Sequence, residues 1–204
     1  MSIIAIVQAR MDSSRLPKKM SAELGSLTII EWVLFRIKKS KLLDNIVLAT
    51  STHEEDDELI DVAKKHNINY FRGSKENVLG RFLETAYHFK ANHIVRVCAD
   101  NPFICPEVVD DLVKYYLLKK YDLVFNHSPL LKSKFADGFG AEILSLKMLS
   151  YLSKKILLSS HKEHVTKYIY DNCKDFKIST PPCPNELSFP NLRFDIDEIK
   201  DLDK

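Results

Sequence analysis

Apolar positions along this chain follow two periods in turn. Ile3 to Val7 is an unbroken apolar run rich in β-branched residues, the pattern of a strand buried on both faces. From Thr28 to about Lys39 the apolar residues share one helical face through Ile29, Ile30, Val33, Leu34 and Ile37. The pattern then predicts a strand at Asn45 to Thr50, an amphipathic helix at Glu54 to His66 and a short strand at Asn69 to Phe71. A helix at Asn77 to Lys90 and a strand at His93 to Val97 follow. Asp100-Asn-Pro102 breaks the chain, Pro106 suits a first helical turn, and Leu123 to Asn126 predicts another strand. Strands and helices alternating every 20–25 residues or so are the signature of βαβ units. The expected class is α/β: a doubly wound, mostly parallel sheet with helices on both faces. The second part is less regular. It predicts a strand at Glu142 to Leu146, helices near Lys147–Lys154 and Ser160–Asn172, and a rigid connector at Thr180 to Pro184. A last strand, Leu192 to Ile196, is expected to rejoin the sheet.

Ligands of such sheets bind beyond the carboxyl ends of the strands. The segments to inspect are therefore 8–19, 50–57, 72–81, 98–102 and 193–198. The first places Arg10, Arg15, Lys18 and Lys19 with Ser13 and Ser14 directly after a buried strand. A triphosphate needs several cations and hydroxyl or amide donors converging on it. A solvated basic loop is the plain alternative. Six of the seven arginines lie in or beside these segments, Arg36 being the exception. In a Lys-rich chain that placement suits planar, bidentate recognition.

Composition narrows the device. Only five residues of 204 are glycine, and no GxGxxG or GxxxxGK[ST] can be written with them. Phosphates, if bound, are not held by a Rossmann fingerprint or a Walker loop. The acidic candidates are Asp100, after the strand HIVRV, and Asp195 with Asp197, which would share one side of a strand. Carboxylates beside a phosphate make a Mg²⁺ site, although a turn at Asp100-Asn-Pro and a helix cap near Asp197 would explain each separately. The four cysteines form no CxxC pair, which disfavours structural zinc. MSIIAIVQARMD does not read as a signal peptide, and no stretch of about 18 apolar residues exists. Cytoplasmic, reduced thiols are expected. A formal net charge of +2 argues against a nucleic-acid or polybasic membrane surface.

Val7-Gln-Ala-Arg-Met-Asp-Ser-Ser-Arg-Leu-Pro-Lys-Lys19 resembles the N-terminal signature of sugar-acid cytidylyltransferases. The nearest branch is the spore-coat-polysaccharide type, related to CMP-N-acylneuraminate and CMP-3-deoxy-manno-octulosonate synthetases. The likeness continues through Val47-Leu-Ala-Thr-Ser51 with Asp56-Asp57, Phe71-Arg-Gly-Ser74 with Asn77-Val-Leu79 and Arg81, and Val95-Arg-Val-Cys-Ala-Asp-Asn-Pro102. Asp137-Gly-Phe-Gly-Ala-Glu142, Glu163-His-Val-Thr166 and Leu192-Arg-Phe-Asp-Ile-Asp197 with Asp201-Leu202 complete it. The resemblance implies a nucleotide-diphospho-sugar transferase-like fold and one nucleotidyltransferase domain, residues 1–126 its nucleotide half and 127–204 its sugar half. It implies that CTP and a 2-keto-3-deoxy sugar acid give a CMP-sugar and pyrophosphate with Mg²⁺, for polysaccharide or glycan biosynthesis. Arg10, Arg15 and Lys19 would act on the phosphates, and Ala9, Ser14, Thr50, Ser51 and Arg72 would bind the nucleotide. Asp100, Asp195 and Asp197 would hold the metal, and Arg81, Glu142, His164 and Thr166 the sugar acid. A homodimer is compatible with the resemblance.

The chain also departs from the pattern. Asp12 and Lys18 stand where the family usually has glycine, Ala99 replaces the glycine of GDxP, and Glu198-Ile199 replaces Thr-Pro. These positions are where altered nucleotide choice or weaker activity would originate. A nucleotide-sugar-dependent glycosyltransferase and a non-catalytic nucleotide-binding module are the alternatives; the basic loop weighs against the first, and the departures favour the second.

Overall fold

The structure, a computed structural model, describes residues 1–13, 15–127, 131–155 and 158–202. Seven strands form one sheet in the order β5-β4-β1-β6-β8-β7-β9. They are β1 (Ile3–Gln8), β4 (Asn45–Ser51), β5 (Asn69–Gly73), β6 (His93–Cys98), β7 (Leu123–Phe125), β8 (Glu142–Ser145) and β9 (Ile178–Ser179). The first four pair in parallel, β7 pairs in parallel with β9, and β8 runs antiparallel between β6 and β7. The sheet is thus mostly parallel, as the alternation of periods predicts.

Alternate residues of β1 explain the layering. Ile3, Ala5 and Val7 pack with the apolar faces of α1 (Ile29–Ile37), α2 (Asp57–Lys65) and α4 (Pro106–Leu118). Ile4 and Ile6 pack on the other side with α3 (Val78–His88), α5 (Leu146–Ser153) and Ile169 of α7 (Lys167–Asp171). A strand with both faces covered must be apolar at every position, which is why β1 shows no polar alternation. Helix α1 begins with a capping box: the Thr28 side chain accepts from the Glu31 amide while Glu31 accepts from that of Thr28. Among the described residues, no helix is long and apolar enough to cross a membrane.

Three elements differ from the sequence expectation. Leu192 to Ile196 does not rejoin the sheet; Arg193 makes one isolated bridge to Asp137, and the segment runs extended across the carboxyl end of β6. The expected helix Ser160–Asn172 is two short helices, α6 (Ser159–Glu163) and α7, separated by His164 to Thr166. Val165 in that break is buried in the core beside α3 and α5, which fixes the interruption. A small hairpin, β2 (Glu23–Leu24) and β3 (Leu27–Thr28), precedes α1 and turns at Gly25 in the left-handed region.

Strand β1 has β4 on one side and β6 on the other. The chain leaves β1 toward β4 and β5, and α3 carries it back to β6. The strand order therefore reverses beside β1, and the crevice beyond the carboxyl ends of β1 and β6 is the topological switch point.

Candidate active site

At that crevice lies a cavity of about 320 Å³ lined by Ala9, Arg10, Arg15, Lys19, Asp100 and Asp197, among others. The loop after β1 forms one wall. Its apolar residues Met11, Leu16 and Met20 are buried, and they anchor the segment that carries the cations between them. Met11 O accepts from the amides of Ser13 (3.0 Å) and Lys18 (3.3 Å), so the loop closes on itself. Lys18 sits in the left-handed region at φ 54°, where an L side chain costs about 1–2 kcal/mol. The backbone thus keeps, with lysine, a conformation that glycine adopts freely.

Asp56 ties this loop to the sheet. Its carboxylate accepts from the Met11 amide at 2.8 Å and from the Ser51 hydroxyl at 2.5 Å. Burial works against its charge, but the bonds from Ser51 and Met11 outweigh that and hold its pKa below the ordinary value. Sequence reasoning noted Asp56 only as part of a motif. Its role shows once Met11 and Ser51 are brought together.

The opposite wall carries Asp197, 72 residues beyond the end of β7. Phe194 stacks on Phe139 with ring centroids 4.9 Å apart. Gly138, at φ +95°, lets the chain pass, because a Cβ there would lie 2.9 Å from the Phe194 carbonyl carbon. The Ile196 amide donates to Asp100 O at 2.9 Å, and Ile196 packs with Leu16 and Ile29. This brings Asp197 against the loop. Lys19 Nζ lies 3.1 Å from Asp197 Oδ1 and 3.3 Å from Asp100 Oδ2, and Arg15 Nη1 lies 2.7 Å from Asp197 Oδ2. An ammonium thus bridges two carboxylates from distant parts of the chain. Asp195, beside them in sequence, instead pairs with Arg193 at 2.5 Å. Asp12 is neutralised by Lys75 (2.6 Å) and Arg10 (3.6 Å).

Among the described residues no three His, Cys, Asp or Glu side chains converge to hold a metal. Asp100 and Asp197 have Lys19 between them; carboxylate oxygens are donors of the kind that Mg²⁺ takes together with phosphates and waters. Cys98 also lines this cavity, but burial pushes its thiol up to about 12, so it is a protonated thiol and no nucleophile.

A second cavity, also about 320 Å³, shares Arg96 and His164 with the first and is lined further by His127, Glu142, Thr166 and Tyr170. Glu142 is 1% exposed. It faces Arg96 across the antiparallel pair of β6 and β8, with Nη1 at 3.1 Å from Oε2. Thr166 Oγ1 donates to it at 2.8 Å, the Tyr170 hydroxyl also donates, and His127 Nε2 lies at 3.3 Å. Burial opposes its charge, yet Arg96 and His127 hold its pKa well below the carboxylate range. The break between α6 and α7 delivers His164 and Thr166 here.

The remaining expected residues stand elsewhere. Thr50 and Ser51 are fully buried in β4. Arg72 braces the loop after β4, donating to Ser51 O (2.9 Å) and His53 O (2.8 Å) and pairing with Asp57 (2.6 Å). Arg81 is fully buried; its Nη1 donates to Ser74 O at 2.8 Å, and burial, with the charge of Arg10, lowers its pKa to about 10. Ser14 lies outside the described residues.

Comparison with known proteins identifies the family. The spore coat polysaccharide biosynthesis protein SpsF of Bacillus subtilis is 32% identical over 207 residues, spanning 98% of this chain and 83% of SpsF. A 3-deoxy-manno-octulosonate cytidylyltransferase of Leptospira interrogans is 32% identical over 111 residues, 53% of this chain and 43% of that protein. A solved cytidylyltransferase from Leptospira borgpetersenii superposes with a TM-score of 0.90 at 32% identity, covering 98% of this chain and 83% of its own. Residues 4–198 match the Cytidylyltransferase family, and the chain belongs to it: this is a CTP-dependent nucleotidyltransferase.

Proposed function

We propose that the enzyme transfers CMP from CTP to the anomeric hydroxyl of a 2-keto-3-deoxy sugar acid, releasing pyrophosphate, within surface polysaccharide or glycan biosynthesis. One observation carries the reading: Lys19 is bracketed by Asp100 and Asp197 at the switch point, against a loop bearing Arg10 and Arg15. Phosphoryl transfer needs positioning and charge stabilisation more than covalent chemistry, and these residues supply both. The sugar hydroxyl attacks the α-phosphorus in line, and the bond from that phosphorus to the bridging oxygen of the leaving pyrophosphate breaks. Arg10, Arg15 and Lys19 take up the charge on the pyrophosphate. His164, which lines both cavities, accepts the hydroxyl proton in this reading. Asp100 and Asp197 would hold Mg²⁺, which when bound neutralises charge on the phosphate oxygens. Residues 1–126 and 127–204 act as the nucleotide and sugar halves of one domain. The name of the octulosonate relative supports the sugar-acid class, and that of SpsF supports a role in polysaccharide biosynthesis.

The departures from the family pattern are compatible with turnover. Lys18 keeps the left-handed backbone, and the charge of Asp12 is taken by Lys75 and Arg10. Pyrophosphate release with CTP, Mg²⁺ and a panel of octulosonic and nonulosonic acids tests the reading. Release is expected with at least one acid, and a fall of about 10²-fold or more in Asp100→Asn and Asp197→Asn, with CTP binding retained by calorimetry. No release with any acid, or full activity in both variants, would sink it.

A further inference from the structure

Arg96 stands on β6 two residues beyond Ile94, so its side chain leaves the same face of the sheet. Ile94 meets the core of α3 and α5, whereas Arg96 reaches the break between α6 and α7 and lines both cavities. A guanidinium on an otherwise apolar sheet face is costly unless paired, and the side chain is only 14% exposed. Glu142, directly opposite in register, provides that partner.

The two partners differ in what they have left to offer. A carboxylate has about four lone-pair sites, and Glu142 already faces Arg96, Thr166, Tyr170 and His127. No site remains for a sugar hydroxyl. A guanidinium has five N–H donors. One of those of Arg96 meets Glu142, while Nε has no partner among the described residues. Lys167, the other cation of the second cavity, is tied to Asp171 at 2.9 Å. The cations of the loop after β1 stand on the wall of the first cavity, where a triphosphate would lie.

We infer that Arg96 is the specificity-determining residue that binds the carboxylate of the acceptor where the two cavities meet, with Glu142 its positioning residue. The inference rests on the sugar-acid reading and adds the group that reads the acid. A planar fork with unused donors matches a carboxylate bidentately, which an ammonium does not. Binding the acceptor by its acid group there leaves its anomeric hydroxyl facing the first cavity.

The test is steady-state kinetics with CTP on 3-deoxy-manno-octulosonate and N-acetylneuraminate, each compared with its carboxamide. Arg96→Lys keeps the charge, and the double variant Arg96→Gln with Glu142→Gln removes both charges together, so neither leaves a buried ion unpaired. In both, KM for the acid is expected to rise about tenfold or more, the order for losing a charge-assisted bond, with KM for CTP little changed. The preference for acid over carboxamide should fall by the same factor. An unchanged preference, or an effect confined to kcat or to KM for CTP, would overturn the assignment, since a merely structural role would not alter acid discrimination. Wild-type enzyme that uses acid and carboxamide equally would overturn the assignment at once, whereas release with no acid of the panel would overturn the sugar-acid reading itself, before any variant is made.

Discussion

Two carboxylate clusters meet at this site, and they are built on opposite principles. Asp100 and Asp197 are 30% and 23% exposed at their side chains and share Lys19, and Asp197 also pairs with Arg15. Arg15 is exposed, while the Lys19 side chain is 9% exposed and lines the cavity, so these pairs face the open site and the exposed one exchanges easily. Glu142 is buried, faces four protein groups, and bonds directly to its register partner on the neighbouring strand. Exchangeable pairs suit the proposed role, in which metal and phosphates would displace the resident partners. A saturated buried carboxylate cannot trade partners, so it builds a frame for other groups. Carboxylates are thus proposed to serve chemistry in one cavity, while another carboxylate builds the frame of the next.

Stability measurements can break this contrast. Glu142→Ala should cost about 3–5 kcal/mol in urea unfolding, because it leaves Arg96 buried and unpaired; a cost near zero would show that Glu142 is not a frame. A further carboxylate offers an intermediate case. Glu31 is 6% exposed and pairs with Lys65 (2.8 Å) and His66 (3.0 Å) as well as capping α1. The bonds from His66, Lys65 and Thr28 lower its pKa from an ordinary 4.5 to about 2. A lowered carboxyl stabilises the fold above the unfolded value, so that contribution is lost as pH falls from about 4.5 toward about 2. Glu31→Gln should flatten the loss of stability over that window, and an unchanged profile would remove Glu31 from the account. Asp100→Asn and Asp197→Asn each leave Lys19 paired with the other carboxylate and should shift stability by at most about 1 kcal/mol while lowering turnover about 10²-fold or more. A large unfolding effect would make them structural, like Glu142. The smallest effect is expected of Asp12→Gly. With its charge already neutralised by Lys75 and Arg10, KM for CTP should stay within about twofold. A tenfold tighter KM would show instead that Asp12 repels the phosphates.

Much of the scaffold is legible in the linear chain. The apolar run Ile3 to Val7, the helical face of α1 and the alternation up to β7 dictate a mostly parallel, two-faced sheet, since such periods bury only in that way. The position of Arg10, Arg15 and Lys19 after β1 follows from the same pattern. Less legible were the segments whose conformation depends on a distant partner. Leu192 to Ile196 has strand-like residues but finds no ladder; its course is set by Phe139, Gly138, Leu16 and the Asp100 carbonyl. The helical period around Ser160 to Asn172 is interrupted because Val165 is drawn into the core.

The sequence by itself determined which residue types reach the carboxyl ends of the strands, because strand order of residues and side-chain period are local properties. Tertiary structure decided their partners. It placed Asp197 rather than Asp195 beside Lys19, turned Arg72 into a loop brace, and saturated Glu142 so that Arg96 keeps the unused donors. Charge and hydrogen-bonding capacity are spent pairwise in space, and a linear chain does not show which pairs will meet.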